Sequence, residues 1–370
     1  MTKRKTYPKA VTYWLIAGLF MIFVQVVVGG VTRLTGSGLS ITRWEVVTGT
    51  LPPLNDAQWN EAFELYKKTP QYQKINQGMR MGQFKFIYFW EYVHRLWARL
   101  MGVVFLLPLA VFWIRGWLDR RLLGRLGLVF LLAGLAASFG WIMVASGLVD
   151  RPWVNAYKLT LHLGIALSLF AYLLWTTLLV AYPERRGVYP GLRRTLGFFT
   201  ALLVVQLALG GLMSGMKAGL FYPSWPDLNG EFVPSLVLEP TEWRVENLVD
   251  YDRGGFAVAL VQVLHRTVAY ALVLWGAWLA LRLFRRLREP LLRRASGLWA
   301  GLLVLQVILG ILTVVNSRGQ IPVDYGVYHQ AGALLLLGTT LFLLYHLGGR
   351  PAATSPKRKV SSGREAVVET

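Results

Sequence analysis

The sequence predicts an all-α integral membrane protein, with eight transmembrane helices arranged as two pseudo-symmetric four-helix bundles in a parallel repeat. Three observations lead there. Over half of the 370 side chains are apolar and only 16% are charged, where soluble proteins carry about a quarter charged. Apolar runs recur at 11–31, 91–115, 124–148, 158–182, 195–215, 256–281, 296–315 and 326–347, each long enough to cross about 30 Å of hydrocarbon as a helix of roughly 20 residues. Segments of the first half also return, in order, in the second.

The first run is too long for a signal-peptide core and ends in VVVGGVTRLTGSG without a convincing cleavage site, so it is expected to stay as the first span. The net charge of +20 does not form the single basic stripe of a nucleic-acid binder. It falls in alternate short connections: TKRKTYPK, RGWLDRRLLGR, PERRGVYPGLRR, RLFRRLREPLLRR and PKRK. By the positive-inside rule these connections and both termini are cytoplasmic. No cysteine is present, which excludes disulfides, thiolate ligation and covalent c-type haem attachment, and leaves His, Met or carboxylate for any metal.

The repeat fixes the organisation. VQVVVGGVTRLTGSGLSITRW (24–44) aligns with VQLALGGLMSGMKAGLFYPSW (205–225), matching Gln25 to Gln206, Gly29 and Gly30 to Gly210 and Gly211, Gly38 to Gly219, and Trp44 to Trp225. EYVHRLWARL then aligns with VQVLHRTVAYAL and KLTLHLGIALSL with GVYHQAGALLLL, placing His94 over His265 and His162 over His329. Four spans per copy is an even number, so the halves are related by an axis along the membrane normal. The expected divisions are a cytoplasmic N-terminus (1–10), a first half (11–182), a linker (183–194), a second half (195–347) and a disordered polar cytoplasmic tail (348–370).

Each half has one long outer connection, 32–90 and 216–255, expected to lid the bundle. Within the first, NDAQWNEAFELYKKTP predicts a short amphipathic helix with Asn55 as cap, Gln58 completing a capping box and Pro70 after its end. The paired glycines admit two readings, close helix packing in lipid or a flat cofactor lying on bare backbone.

Ionisable groups inside a bilayer are costly and usually functional. His94, His162, His265 and His329 fall near the outer starts of the second, fourth, sixth and eighth spans, at one depth. A lone histidine there reads as a hydrogen-bonded core residue. One on every even span and none on the odd ones reads as two bis-histidine haem sites in bundle cores. Zinc fits less well, because two imidazoles without further ligands do not close a tetrahedral site. His346 follows His329 by 17 residues, about 25 Å of helix, and is expected at the opposite interface, not as a ligand.

The halves differ three residues before the first histidine, with Glu91 in one and Gln262 in the other. That spacing shares a helix face, so only the first pocket carries an acid able to exchange a proton or stabilise a developing cation. The plainer reading is a glutamate reaching water near a helix N-terminus. Arg95 and Arg266 follow the histidines, either to anchor haem propionates or to face headgroups. Lys158 reads as an interfacial anchor.

The ordered set VVGGVTRLTGSGLSITRW, TGTLPPL, EYVHRLWARLMG, GWIMVASGL, KLTLHLGIAL, LALGGLMSGMKAG, VQVLHRTVAYALV and VYHQAGALLLL resembles the haem A synthase family across nearly the whole chain. The cysteine-free outer loops resemble its proteobacterial and mitochondrial-type branch. The resemblance implies oxidation of the C8 methyl of haem O to a formyl group, giving haem A for cytochrome oxidase. It implies that His94 and His162 flank the substrate, that Glu91 is the catalytic acid/base or cation stabiliser, and that His265 and His329 ligate a resident haem b (iron) that relays electrons. Two axial imidazoles leave no open coordination site, so either one histidine dissociates or electron removal precedes attack by water.

Two rivals make different demands. A diheme membrane cytochrome b acting only in electron transfer needs no Glu91, and a transporter of two parallel repeats needs no haem. The expected partners are haem O, a haem O synthase, an electron donor, membrane lipid and a second copy of the chain in a homo-oligomer, with no nucleic acid. Without an Arg-rich, acid-poor leader, a bacterial inner membrane is the expected location.

Overall fold

The computed structural model describes residues 6–43, 50–149, 151–184 and 187–349. Trp44, the start of TGTLPPL, parts of the first and third basic segments, and the tail from 350 lie outside the described residues.

Thirteen helices are present among them: α1 Lys9–Leu34, α2 Asp56–Lys67, α3 Pro70–Lys74, α4 Met81–Ile114, α5 Arg120–Ala145, α6 Ala156–Ala181, α7 Pro190–Gly215, α8 Ser235–Leu238, α9 Val245–Val249, α10 Tyr251–Gly254, α11 Phe256–Arg286, α12 Pro290–Val315 and α13 Val323–His346. Eight of them, α1, α4–α7 and α11–α13, are long and apolar enough to cross a membrane. The fold is therefore that of a multi-pass, all-helical membrane protein, and short links alternate with the two long connections on one face.

Local chemistry sets the boundaries. Asp119 caps α5 by accepting from Leu122 N at 2.8 Å, and Asn155 caps α6 by accepting from Tyr157 N and Lys158 N. Proline opens α7 and α12, where its missing N–H costs nothing. After α1 the chain turns at Gly36, whose φ of +69° lets Ser37 N reach back to Thr32 O at 2.9 Å. Asn55 caps α2 as expected, accepting from Gln58 N at 2.9 Å, but the Gln58 side chain reaches Leu54 N and not the cap residue. Pro70 opens α3.

One boundary differs from the apolar pattern in a way that matters. α4 begins at Met81, so Glu91 and His94 sit well inside a helix and not at its start. The first turns of α4, interrupted in their apolar pattern by Gln83 and Lys85, carry Phe84 and Ile87, which pack with Phe63 and Tyr66 of α2 in a buried aromatic cluster on the long-loop face. Phe63 and Tyr66 stack on Phe84 with centroids 4.8 and 5.2 Å away. A run of hydropathy does not register this extension, because it is held by a neighbouring helix and not by lipid.

α1, α6, α7 and α13 form the centre: α1 packs on α6 and α13, α7 on the same two, and α6 on α13. The other four spans lie outside, α4 on α1, α5 on α6, α11 on α7 and α12 on α13. Trp14, Leu15, Phe105 and Leu173 fill the first half's core, and Phe199, Leu279 and Trp299 the second's. Trp299 is fully enclosed and donates its indole N–H to Thr340 Oγ1 at 2.9 Å, which satisfies the one polar atom so large a ring brings into the core. His346, expected at an interface, is instead buried among the rings of Tyr182, Phe342 and Tyr345.

The long connections knit the halves together. Tyr251 accepts from Ala156 N at 2.8 Å, and Arg151 pairs with Asp252 at 3.1 Å, so the second loop caps the start of α6. Lys217, beside it, lies over the Trp153 ring at 4.4 Å. Burial, and then the nearby Arg33 cation, hold its ammonium below the usual lysine range. Arg33 donates from α1 to Ser214 O at 2.6 Å, at the C-terminal end of α7, where exposed carbonyls and the helix dipole favour a cation. Arg33→Ala leaves those carbonyls bare and is expected to destabilise the protein by about 1.5–3 kcal/mol, read as a lowered midpoint of thermal unfolding in detergent; an unchanged midpoint contradicts this role.

Candidate functional site

Each of the four intramembrane histidines lies on a glycine of the odd-numbered span before it. A Cβ added at Gly29 of α1 would come within 3.0 Å of His94 Nε2, and one at Gly140 of α5 within 3.1 Å of His162 Cε1. In the second half, Gly210 of α7 backs His265 at 3.6 Å and Gly310 of α12 backs His329 at 3.2 Å. At Gly29, Gly140 and Gly310 a Cβ would crowd the imidazole, whereas the 3.6 Å at Gly210 is an ordinary contact.

The bare surface also satisfies the ring. His162 Nδ1 lies 3.0 Å from the carbonyl of Ala136, one turn before Gly140. His329 meets Gln306, one turn before Gly310, whose side-chain amide in its satisfied orientation donates to His329 O at 2.9 Å and lies 3.2 Å from its Nδ1. An imidazole that donates from Nδ1 to a carbonyl presents Nε2 as its lone-pair atom, the second shell that metal-ligating histidines ordinarily have.

The other two histidines meet glutamines at the same register. Gln25, four residues before Gly29, donates to the backbone carbonyl of His94 at 3.2 Å, and Gln206, four before Gly210, lies 3.3 Å from His265 Nε2. The carbonyl oxygens of Gln25 and Gln206 and the Nδ1 of His265 are buried without partners. Orphaned polar atoms at matched positions in both halves are what a missing polar or metal-bearing group leaves behind. His94 is electrostatically coupled to His162 and His265 to His329. Among the described residues, no three His, Cys, Asp or Glu side chains converge as a bare-ion site.

The paired glycines divide between the two readings given to them. The first of each pair, Gly29 or Gly210, faces a histidine of its own half, while the second faces across the molecule. A Cβ at Gly30 would meet Gln330 of α13 at 2.9 Å, and one at Gly211 would meet Thr160 of α6 at 3.0 Å. Gln330 Nε2 donates to Val26 O at 2.6 Å at the first of these crossings.

Glu91 is almost fully buried, and every polar partner it has donates to it. Oε2 accepts from Ser40 N, Ser40 Oγ and Ile41 N, each at 2.8 Å, and Oε1 from Arg95 Nε and Nη2 at 3.1 and 2.6 Å. Arg95 also donates to Ile41 O at 3.1 Å. Gln262 and Arg266 repeat the device. Gln262 Nε2 donates to Ala218 O at 2.9 Å, its Oε1 accepts from Arg266 Nε at 3.1 Å, and Arg266 reaches Asp227 O and Tyr222 O. The two arginines thus spend their donors on the loop that follows α1 or α7. On the long-loop face, a cavity of about 570 Å³ is lined by Trp141, Ser146, Arg151, Asn155 and Lys158, with Lys158 one turn before His162.

The sequence reading named all four histidines, Glu91, Gln262 and the arginines, but missed Gly140, Gly310, Gln306 and Ser40. A signal existed for three of them. VQVVVGG, VQLALGG and LQVILGI share Gln-x-x-x-Gly, and AASFGWI keeps the glycine with Ala136 at the glutamine position.

Fold and site together define a multi-pass membrane protein with two pairs of backbone-seated histidines, one pair per half. The chain matches the COX15-CtaA family, described as cytochrome oxidase assembly protein, over residues 12–341, and it belongs to that family. It is 43% identical over 357 residues to a protein of Bradyrhizobium diazoefficiens named heme A synthase, covering 95% of each chain. Proteins of the same name from Flavobacterium psychrophilum and Methylorubrum populi are 39% and 43% identical, covering 91% and 97% of this chain and 98% and 92% of theirs.

Replacing Gly140 by Leu drives His162 off Ala136 and is expected to weaken hemin binding by the first pair at least about tenfold, with the second pair unaffected. Gly310→Leu should do the reverse. Spectrophotometric titration with hemin checks both, and binding that survives in the altered half refutes the glycine seat.

Proposed function

We propose that this chain is a haem A synthase, oxidising the C8 methyl of haem O to a formyl group and so supplying haem A for cytochrome oxidase. The full-length likeness to proteins named heme A synthase carries this reading, and the four histidines on glycine seats agree with it. In this reading the first half (11–182) takes the substrate between His94 and His162. The second half (195–347) holds a haem b through His265 and His329, whose seats and orphaned polar atoms fit such a group. When bound, that haem would pass single electrons.

By electron removal and attack of water, converting the methyl to a formyl group consumes one water and gives up four protons and four electrons to an external acceptor; by successive hydroxylation it consumes two dioxygen molecules with four protons and four electrons from a donor and releases three waters. Glu91 is the acid nearest His94 on the same helix, and with Oε2 accepting from Ser40 and Ile41 and Oε1 from Arg95 it holds negative charge in place to stabilise a cation developing on the substrate. Arg95 fixes Oε1 and so sets the direction of the other oxygen. Lys158, in the open cavity one turn from His162, offers a cation to the propionates. Arg95 and Arg266 hold the loops. Further parts of the proposal are a bacterial inner-membrane location with both termini cytoplasmic, a haem O synthase upstream, an electron donor and self-association.

Glu91→Gln separates chemistry from architecture only with a stability control. Gln262 shows that an amide can clamp a loop, but at Glu91 an amide N–H₂ would face the N–H groups of Ser40 and Ile41, costing about 1–3 kcal/mol. The expected result is a modest fall in unfolding midpoint, retained binding of both porphyrins and loss of haem A formation by at least about a hundredfold. Wild-type conversion would show that Glu91 serves the loop alone, whereas absence of conversion by the unaltered chain, with both porphyrins bound, would favour a cytochrome that only transfers electrons.

A further inference from the structure

The halves differ in how they close. In the second, α11 packs along α12, and Leu303 fills the space above Gly276 while Trp299 is sealed in the core. The groove of about 360 Å³ between these helices is apolar, and both Gly276 and Leu303 line it. In the first half, α4 and α5 stay apart. Counting from the aligned histidines and glycines, Phe105 replaces Gly276 and Ala133 replaces Leu303, so the knob and its hole are both lost. Phe105 turns instead to Gly18 of α1 and meets Phe130 of α5 at 5.5 Å, which joins the two helices on the short-loop side only. Towards the histidines, a side chain added at Gly102 of α4 or Gly134 of α5 would meet nothing within 4 Å. Leu100, Val103, Leu131 and Leu135 are exposed apolar side chains of these two helices.

We infer that the gap between α4 and α5, above the Phe105–Phe130 contact, is a lateral portal through which haem O passes from the bilayer to the His94–His162 pair and haem A returns. This rests on the proposed function. A resident porphyrin needs no path once seated, whereas a turned-over substrate needs one at every cycle. A porphyrin carrying a long isoprenoid tail is soluble in lipid, not water, so its path of least desolvation opens sideways. The half whose helices pack along each other, leaving only an apolar groove of about 360 Å³, belongs to the group that stays, and the half whose helices stay apart to the group that is exchanged.

The absence of native cysteine makes the test direct. Gly102 lies three residues before Phe105 and Gly134 four after Phe130, on the faces that carry that contact and towards the histidines, and a side chain added at either meets nothing within 4 Å. The Gly102→Cys/Gly134→Cys chain is joined by a short bis-maleimide, with each single-cysteine chain treated alike, and offered haem O in liposomes. Joined helices should lower haem O uptake and haem A yield at least about tenfold while the second half keeps its porphyrin spectrum. If the linker does not join them, Gly134→Trp fills the gap and should act in the same way, with Gly301→Trp on the lipid face of α12 as the neutral control. Equal uptake by blocked and open chains overturns the portal and leaves the proposed function standing. An open chain that takes up no haem O overturns both.

Discussion

The arrangement depends on one contact, an imidazole brought up against helix backbone at a glycine. Within the hydrocarbon layer a neutral imidazole still carries a donor and an acceptor that have to be satisfied. Removing one Cβ solves half of that problem, because the ring can then reach the carbonyl a turn earlier, as His162 reaches Ala136. The other nitrogen is left for whatever the bundle holds. The same contact explains why glycines occur in pairs on α1 and α7: one seats a histidine, and its neighbour, about a hundred degrees round the helix, lets the opposite half approach. Site and interface are therefore built from adjacent residues, and neither can shift without the other.

The second structural idea is the clamp. Glu91–Arg95 and Gln262–Arg266 perform one task, tying the chain after α1 or α7 to the flank of α4 or α11. The amide does it with one donor and one acceptor, the carboxylate by accepting from every side. An acid is thus not required for architecture, and its presence in one half only is what remains for chemistry to explain. Its two oxygens are held by Ser40, Ile41 and Arg95, so in the first half the loop also sets the position of the charge.

Much of this was legible in the sequence because membrane crossing leaves few options. Hydropathy located all eight spans, and the duplication located the histidine pairs, since repeated polar residues in lipid stand out. The errors lie where protein takes the place of lipid. The first turns of α4 are aromatic but interrupted by Gln83 and Lys85 and packed on Phe63 and Tyr66, so the apolar run began too late. His346 at the end of α13 is enclosed once Tyr182 from α6's end joins its neighbours Phe342 and Tyr345. Glu91's partners were illegible because Ser40 and Ile41 lie about fifty residues away in an irregular loop. Gly310 and Gln306 escaped although LQVILGI repeats the Gln-x-x-x-Gly of α1 and α7, because the polar residues compared for ligands all lie on even spans, and Gly140 is fainter still because its helix lacks the glutamine.

The most direct measurement of the central claim is the number and ligation of porphyrins held per chain. Protein purified from haem-replete membranes, or loaded with hemin, is analysed for iron porphyrin against polypeptide and by low-temperature electron paramagnetic resonance. Two porphyrins per chain, each low-spin with paired imidazoles, and loss of one on replacing either histidine of a half, is the expected result. A single porphyrin that disappears only when histidines from different halves are replaced would contradict the account.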